Sequence, residues 1–161
     1  MLDIDLESRH RIINKNKKVV MCLQCGTCTS SCLIPRYLKD YNPRMSFINA
    51  LYGSRKAIEN PTLWACAVCH TCQDRCPEGV NPTELLISLK ELAFAEGLAP
   101  KTAAQGAGLV LSTGRAYPTS AIVDSAREKL KLGKLRGIDV KELNKIAEKT
   151  GLRAKLNKLK G

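Results

Sequence analysis

The sequence has few of the residues that build a deep hydrophobic core. Only 4% of its 161 residues are aromatic, and just two Phe and one Trp are among them. No apolar run approaches the roughly 18 residues that a membrane-spanning helix needs. The charged N-terminus, MLDIDLESRHRIINKNKKVV, lacks the apolar segment of a secretory signal. These absences predict a cytoplasmic protein without a membrane span, in which something other than a large core helps to hold the chain together.

All eight cysteines fall into two copies of one pattern. The segments CLQCGTCTSSC and CAVCHTCQDRC begin at Cys22 and Cys66 and are therefore offset by 44 residues. The first copy places thiols at Cys22, Cys25, Cys28 and Cys32, and the second places them at Cys66, Cys69, Cys72 and Cys76. Because thiols stay reduced inside cells, this usage indicates metal binding rather than disulfides.

The spacing C-x2-C-x2-C-x3-C is typical of [4Fe–4S] clusters in bacterial ferredoxins. Three closely spaced cysteines can wrap three iron corners, and in two-cluster ferredoxins the fourth cysteine ligates the other cluster. The predicted ligand sets are therefore Cys22, Cys25, Cys28 with Cys76, and Cys66, Cys69, Cys72 with Cys32. Two zinc sites are the competing interpretation, but zinc sites usually pair C-x2-C units rather than triplets. Pro77 follows Cys76 as in the bacterial pattern, whereas the residue after Cys32 is Leu33.

Three Asn-Pro pairs predict helix starts, since Asn is a good N-cap and Pro fits the first helical position. The pairs begin at Asn42, Asn60 and Asn81. We expect helices over about 43–58, from 61 into Cys66, and over about 82–96, the last with a capping box between Asn81 and Glu84. The only candidate for a short strand lies near Val19. The sequence thus predicts a mainly α protein, with an α-helical ferredoxin-like domain that binds two [4Fe–4S] clusters.

The C-terminal part has a different composition. Residues 100–118 are rich in Gly, Ala, Ser and Thr, which favours a linker or a loosely packed segment. Helices are expected from Pro118 to about Gly133 and from Asp139 to about Gly151, followed by a frayed or helical basic end. Residues 127–161 contain 12 Lys and Arg against 4 Asp and Glu, and so hold 8 of the 11 net positive charges. We predict a two-cluster domain over residues 1–100 and a linker with a basic helical extension over 101–161.

Other side chains carry weaker signals. Trp64, Pro35 and Tyr37 are expected to shield the clusters or to belong to the core. His70 is interpreted as a spacer, with a proton-coupled group or an alternative ligand as the less favoured roles. No nucleotide fingerprint or catalytic constellation is present, so no active site is predicted.

A family resemblance rests on two longer stretches. CLQCGTCTSSC, followed by NPRMSFINALYGSRKAIENPTLWACAVCHTCQDRCPEGVNPTELLISLKELAFAEG, resembles the C subunit of the methanogen heterodisulfide reductase over about residues 19–98. The resemblance implies a helical iron–sulfur subunit that passes electrons from a flavin-containing A subunit to the B subunit. In that family the B subunit reduces the disulfide of coenzyme M and coenzyme B during methanogenesis. The implied partners are the A and B subunits, with a hydrogenase or formate dehydrogenase in a larger assembly.

Several alternatives stay open on the sequence alone. The LW-x-C and CP-x-G-V-x-P segments also occur in heterodisulfide-reductase-like, succinate dehydrogenase-like and glycerol-3-phosphate dehydrogenase-like complexes. A diffusible ferredoxin is disfavoured by the long step from Cys32 to Cys66 and by the basic extension. A nucleic-acid-binding module would use that extension against phosphates, but it lacks interleaved aromatics for stacking. We therefore interpret the extension as a docking arm for acidic partner subunits and expect no nucleic-acid partner.

Overall fold

The computed structural model describes residues 4–117, 119–133 and 135–159. The chain divides into two compact units, with the boundary between Ala99 and Pro100. Every regular element in the described ranges is a helix, which confirms the mainly α prediction. The short strand considered near Val19 is instead a 3-10 helix over Lys17–Met21. No helix of the described ranges is both long and apolar enough to cross a bilayer.

The first unit is built from six α-helices and three 3-10 helices. The α-helices are α1 (Leu6–Lys15), α2 (Thr27–Ser30), α3 (Pro43–Tyr52), α4 (Lys56–Glu59), α5 (Thr71–Asp74) and α6 (Pro82–Ala95). The 3-10 helices are Lys17–Met21, Ile34–Arg36 and Pro61–Ala65.

The core of the first unit is formed around α6, which packs against α1, α3 and α4. Leu85, Leu86 and Leu89 of α6 are fully buried, together with Phe47 of α3 and Leu63. Each such side chain contributes about 1.5–3 kcal/mol through burial. Partly buried hydrophobic residues on the edge of this core include Cys22, Cys66, Cys76 and Trp64. The cysteine segments are therefore attached directly to the best-packed part of the molecule.

The Asn-Pro pairs do begin helices, but only two of the asparagines cap them. Asn42 accepts a hydrogen bond from the Met45 amide at 3.2 Å, and Asn60 accepts one from the Thr62 amide at 2.9 Å. Asn81 makes no such bond and has φ 53°, so the predicted capping box with Glu84 is wrong. An N-cap side chain reaches the helix from an extended backbone, and the left-handed conformation of Asn81 turns its side chain away from that position.

The helix predicted over 43–58 ends early. α3 stops at Tyr52 because Gly53 adopts φ +68°, and α4 then begins separately at Lys56. A Cβ at Gly53 would clash with the carbonyl oxygen of Asp5 and would lie 2.6 Å from the amide nitrogen of Arg9. The start of α1 therefore packs directly against the C-terminal end of α3.

The described residues of the second unit form four helices, α7 (Lys101–Thr113), α8 (Ala121–Lys129), α9 (Lys141–Lys149) and α10 (Leu152–Lys158). The linker predicted over 100–118 is wrong for most of its length, because α7 occupies it; its alanines and leucines favour a helix despite the glycines. The predicted helix start at Pro118 lies outside the described residues, and Ser120 caps α8. α10 packs against α9 and α7, which buries Leu156 and Leu159.

Candidate metal centre

The two cysteine segments have the same backbone architecture. A 3-10 helix leads into Cys22 in the first copy and into Cys66 in the second. A four-residue α-helix then carries the third cysteine of each copy: α2 holds Cys28 and α5 holds Cys72. The bounds of these elements differ by the same 44 residues as the cysteines themselves. The sequence repeat is therefore a structural repeat.

Two positions of each copy lie in the left-handed region of the backbone. Gln24 and Val68 have φ values of 56° and 53°, and Gly26 and His70 have values of 82° and 61°. A β-branched residue such as Val68 rarely adopts a positive φ, and such strain tends to occur at functional sites. His70 stands where the first copy has glycine, and its side chain is exposed. Each loop thus curls in the same way between its first and third cysteine.

The structure groups the cysteines across the two copies. One cavity is lined by the four thiol-bearing residues Cys22, Cys25, Cys28 and Cys76. In the second group of cysteines, burial raises the pKa of the Cys32 thiol, and the neighbouring Cys69 and Cys66 thiols raise it further. α2 and α5 pack against each other, which brings the two groups side by side. This grouping follows the predicted pattern, while the assignment of individual ligands stays a prediction.

The second and third thiols of each copy have matched electrostatic environments. Hydrogen bonding to Thr27 lowers the pKa of Cys25, and hydrogen bonding to Thr71 lowers the pKa of Cys69. The Sγ–Oγ1 distances are 3.3 Å and 3.5 Å. Burial raises the pKa of Cys28 in α2 and of Cys72 in α5. Each copy therefore has an exposed thiol beside a threonine hydroxyl and a more buried thiol on its short helix.

Several contacts with the cysteine segments were not predicted. Lys90 of α6 donates to the carbonyl oxygen of Cys66 at 2.8 Å, with its Nζ 5.9 Å from the centre of the Trp64 ring. The Thr83 hydroxyl lies 3.6 Å from Cys72 Sγ. Gln24 Nε2 donates to Cys22 Sγ at 3.4 Å. No spacing rule points to Lys90 or Thr83, since their position depends on how α6 packs.

A tyrosine also covers the second group of thiols, but it is not the expected one. Tyr37 is 90% exposed, so its predicted role as a shield is wrong. Tyr41 is buried instead, with 2% of its surface exposed. Burial and the adjacent Cys66 thiol raise the pKa of Tyr41 above its usual range. Tyr41 immediately precedes the Asn42 cap of α3, which fixes its backbone beside the second cysteine segment.

The donor set fits iron–sulfur clusters better than single ions. All eight cysteines are free thiols. Within residues 4–117, 119–133 and 135–159, no three His, Cys, Asp or Glu side chains converge as ligands of one metal ion. A structural zinc site would gather four ligands around one ion, with Zn–S distances of about 2.3 Å. A cubane cluster takes one thiolate at each of four iron corners, so its ligands stand farther apart.

A helical unit with two matched four-cysteine groups defines a two-cluster iron–sulfur protein. The sequence profile of the family described as "4Fe-4S dicluster domain" matches residues 18–80, a range that contains all eight cysteines. The chain accordingly binds two [4Fe–4S] clusters, as predicted.

Similar proteins identify the family. The chain is 35% identical over 114 residues to the C subunit of the ferredoxin:CoB-CoM heterodisulfide reductase of Methanosarcina mazei, covering 71% of this chain and 70% of that protein. It is 34% identical over 138 residues to the C subunit of the H(2):CoB-CoM heterodisulfide,ferredoxin reductase of Methanothermobacter marburgensis, covering 81% and 74%. It is 32% identical over 133 residues to the C2 subunit of the H(2)/formate:CoB-CoM heterodisulfide,ferredoxin reductase of Methanococcus maripaludis, covering 79% and 72%. The chain belongs to the family of heterodisulfide reductase C subunits, which confirms the resemblance. Its members are iron–sulfur subunits of an oxidoreductase.

Proposed function

We propose that this chain is the non-catalytic electron-transfer subunit of a cytoplasmic heterodisulfide reductase complex. In this role it passes electrons from a flavin-containing A subunit to the B subunit, which reduces the disulfide of coenzyme M and coenzyme B. The observation that carries the proposal is the presence of two matched four-cysteine groups in a member of the family of heterodisulfide reductase C subunits. When bound, the two clusters supply one-electron redox chemistry.

We assign the ligands across the repeat. Cys22, Cys25, Cys28 and Cys76 hold the first cluster, and Cys66, Cys69, Cys72 and Cys32 hold the second. The cavity lined by the first four residues supports the first set. The influence of Cys69 and Cys66 on the Cys32 thiol supports the second set. With every iron corner occupied by a protein thiolate, no corner is left for a substrate, which favours a relay over a catalyst.

The exposure of the cysteines supports exchange of electrons with other subunits. Cys25 and Cys69 are exposed, whereas the other six cysteines are half-buried. These two exposed thiols occupy equivalent positions in the repeat, one in each ligand set. We infer that each cluster approaches the surface at this position, where a redox partner can come within electron-transfer distance. The packing of α2, which carries Cys28, against α5, which carries Cys72, supports neighbouring clusters within the unit.

The second unit serves as a docking element in this proposal. Exposed lysines lie along α9 and α10, including Lys145, Lys149 and Lys155. Charge of one sign steers association with an oppositely charged partner and fixes its orientation. We propose that this basic surface binds acidic surfaces of the partner subunits.

The proposal is tested on protein purified without oxygen together with its partner subunits. We expect about eight irons and eight sulfides per chain, from two clusters of four each, and two interacting electron paramagnetic resonance signals after reduction. We also expect the chain to co-purify with the A and B subunits and to restore disulfide reduction when added back to them. Zinc in place of iron, or full disulfide reduction by these two partners without this chain, would contradict the proposal.

The crossed ligand assignment has its own test. We expect Cys76→Ser to damage the cluster held by Cys22, Cys25 and Cys28, although these residues are distant in sequence. Cys32→Ser is the matched control, because it should damage the cluster held by Cys66, Cys69 and Cys72. Electron paramagnetic resonance with iron analysis distinguishes the two losses. If each serine variant instead lost the cluster of its own segment, the ligand sets would be uncrossed.

A further inference from the structure

The two halves of the repeat differ at one position that faces a ligand sulfur. Gln24 and Val68 are equivalent in sequence and share the same left-handed backbone conformation. In the first half, the Gln24 amide nitrogen lies 3.4 Å from Cys22 Sγ. In the second half, a valine has no polar hydrogen atom to donate to Cys66. The same loop geometry is therefore combined with a donor in one half and with an apolar side chain in the other.

The orientation of the Gln24 amide is set by the chemistry of the sulfur. A thiolate only accepts hydrogen bonds, so the NH₂ group and not the carbonyl oxygen must face Cys22. The Gln24 carbonyl oxygen Oε1 is buried and has no hydrogen-bond partner. A buried polar atom without a partner lowers stability.

We propose that Gln24 raises the reduction potential of the cluster held by Cys22, Cys25, Cys28 and Cys76. This inference rests on the proposed ligand assignment. Reduction adds one electron to a cluster whose negative charge is shared with its thiolates. A donor to Cys22 Sγ stabilises that added charge, and hydrogen bonds to cluster sulfurs are an established means of setting potentials. Gln24 acts through the ligand, and is therefore a positioning residue rather than a catalytic one.

The other polar groups near the two sites leave the difference between positions 24 and 68 in place. At the first site the Thr29 hydroxyl also hydrogen-bonds Cys28. Arg44 and Glu78 both line the first cavity, and so bring opposite charges. At the second site, Lys90 donates a hydrogen bond to the Cys66 carbonyl oxygen, and the negative charge of Asp74 acts to raise the pKa of Cys69. The hydroxyls of Thr27 and Thr71 are equivalent by the repeat.

The second site has two donors of its own. The buried Tyr41 hydroxyl lies against Cys66, the cysteine equivalent to the one that Gln24 approaches. The Thr83 hydroxyl lies 3.6 Å from Cys72 Sγ, at a different cysteine from the one that Gln24 approaches. The test of Gln24 compares each cluster with the same cluster in the unmodified protein.

The test removes the donor from the first half of the repeat and adds a donor to the second half. Gln24→Met removes the donor with little change in side-chain length, and Val68→Gln adds a donor at the equivalent position. Potentiometric titration of the holoprotein, followed by electron paramagnetic resonance, gives the midpoint of each cluster. We expect Gln24→Met to lower one midpoint and leave the other unchanged, and Val68→Gln to raise the other. Gln73→Met is the matched control: among the described residues its side chain makes no hydrogen bond to a sulfur, so neither midpoint should move.

A second readout reports the hydrogen bond itself. After exchange into deuterated buffer, electron–nuclear double resonance should detect deuterons close to the first cluster, and Gln24→Met should remove the one contributed by the Gln24 amide while leaving that of Thr27. Unchanged midpoints in both Gln24→Met and Val68→Gln proteins that retain all their iron would overturn this inference while leaving the relay intact. If Gln24→Met fails to assemble, Val68→Gln alone decides, since an unchanged second midpoint overturns the inference. If the unmodified protein, purified without oxygen, contained no iron, the proposed function itself would be contradicted.

Discussion

Gly53 has less room for an added Cβ than the other described glycines of the first unit. It combines a positive φ with contact to the backbone of Asp5 and Arg9, and backbone atoms cannot yield as a flexible side chain can. We expect Gly53→Ala to lower the free energy of unfolding by more than about 2 kcal/mol, because backbone strain of about 1–3 kcal/mol adds to the clash. Denaturant titration of the oxygen-free holoprotein measures the loss.

Gly97 provides the control for this prediction. It also has a positive φ, of +82°, but an added Cβ would have open space around it. Gly97→Ala should therefore lower stability by only about 1–2 kcal/mol, the penalty of the left-handed conformation alone. If Gly53→Ala and Gly97→Ala lowered the free energy of unfolding equally, the close contact between α1 and the end of α3 would add nothing to the cost of the Gly53 substitution.

At the scale of single elements, α6 connects the core with the second cysteine segment through Lys90. Lys90→Met removes a charge-assisted hydrogen bond to the Cys66 carbonyl, for which about 1.5–3 kcal/mol is typical. It also removes the contact between the ammonium group and Trp64. We expect a loss of about 2 kcal/mol in unfolding free energy and faster release of iron to a chelator.

A second lysine that contacts a residue of α6 tests whether this effect is specific. Lys15 forms an exposed ion pair with Glu91 of α6 at 2.9 Å, and exposed pairs contribute about 0–1 kcal/mol. Lys15→Met should therefore change stability little and leave the rate of iron release unaltered. A comparable effect of both variants would indicate that general loss of positive charge is responsible.

The helices and their contacts also show which features of the fold could be predicted from the sequence. Cysteine spacing predicted two [4Fe–4S] clusters because the spacing within each segment is local and repeated, whereas the crossed ligand sets stay a prediction. Asn-Pro pairs located three helix starts, yet the capping role of Asn81 was wrong because the backbone there is set by the turn after Cys76. α7 was missed since its glycines resemble a linker, although their neighbours favour a helix. Lys90, Thr83 and Tyr41 could not be predicted, as they reach the thiols only through tertiary packing.

At the scale of the whole molecule, the division at Ala99 separates all the cysteines from most of the positive charge. We expect a chain ending at Ala99 to retain both clusters and about eight irons. It should bind the partner subunits more weakly than the full chain, because it lacks the basic extension. Iron analysis and binding measurements at about 0.05 M and 0.5 M salt test both parts, since exposed charges are screened at high ionic strength.

A variant of the full chain shows whether the second unit strengthens partner binding through its positive charge or through other features. Lys145→Gln, Lys149→Gln and Lys155→Gln together remove exposed charge while keeping the helices. We expect this variant to lose the salt-sensitive part of the affinity and to keep its iron. If its affinity matched that of the full chain at low salt, the extension would bind through other features.

The cavity that joins Cys76 to Cys22, Cys25 and Cys28 has a consequence for biosynthesis. A nascent chain that has emerged from the ribosome only through the first cysteine segment offers three of these four sulfurs. The fourth is synthesised with the second segment, long after the first loop has had time to fold. On the proposed ligand assignment, the first site is therefore complete only once both segments have been translated, and a translation product truncated between them would hold three of its four ligands.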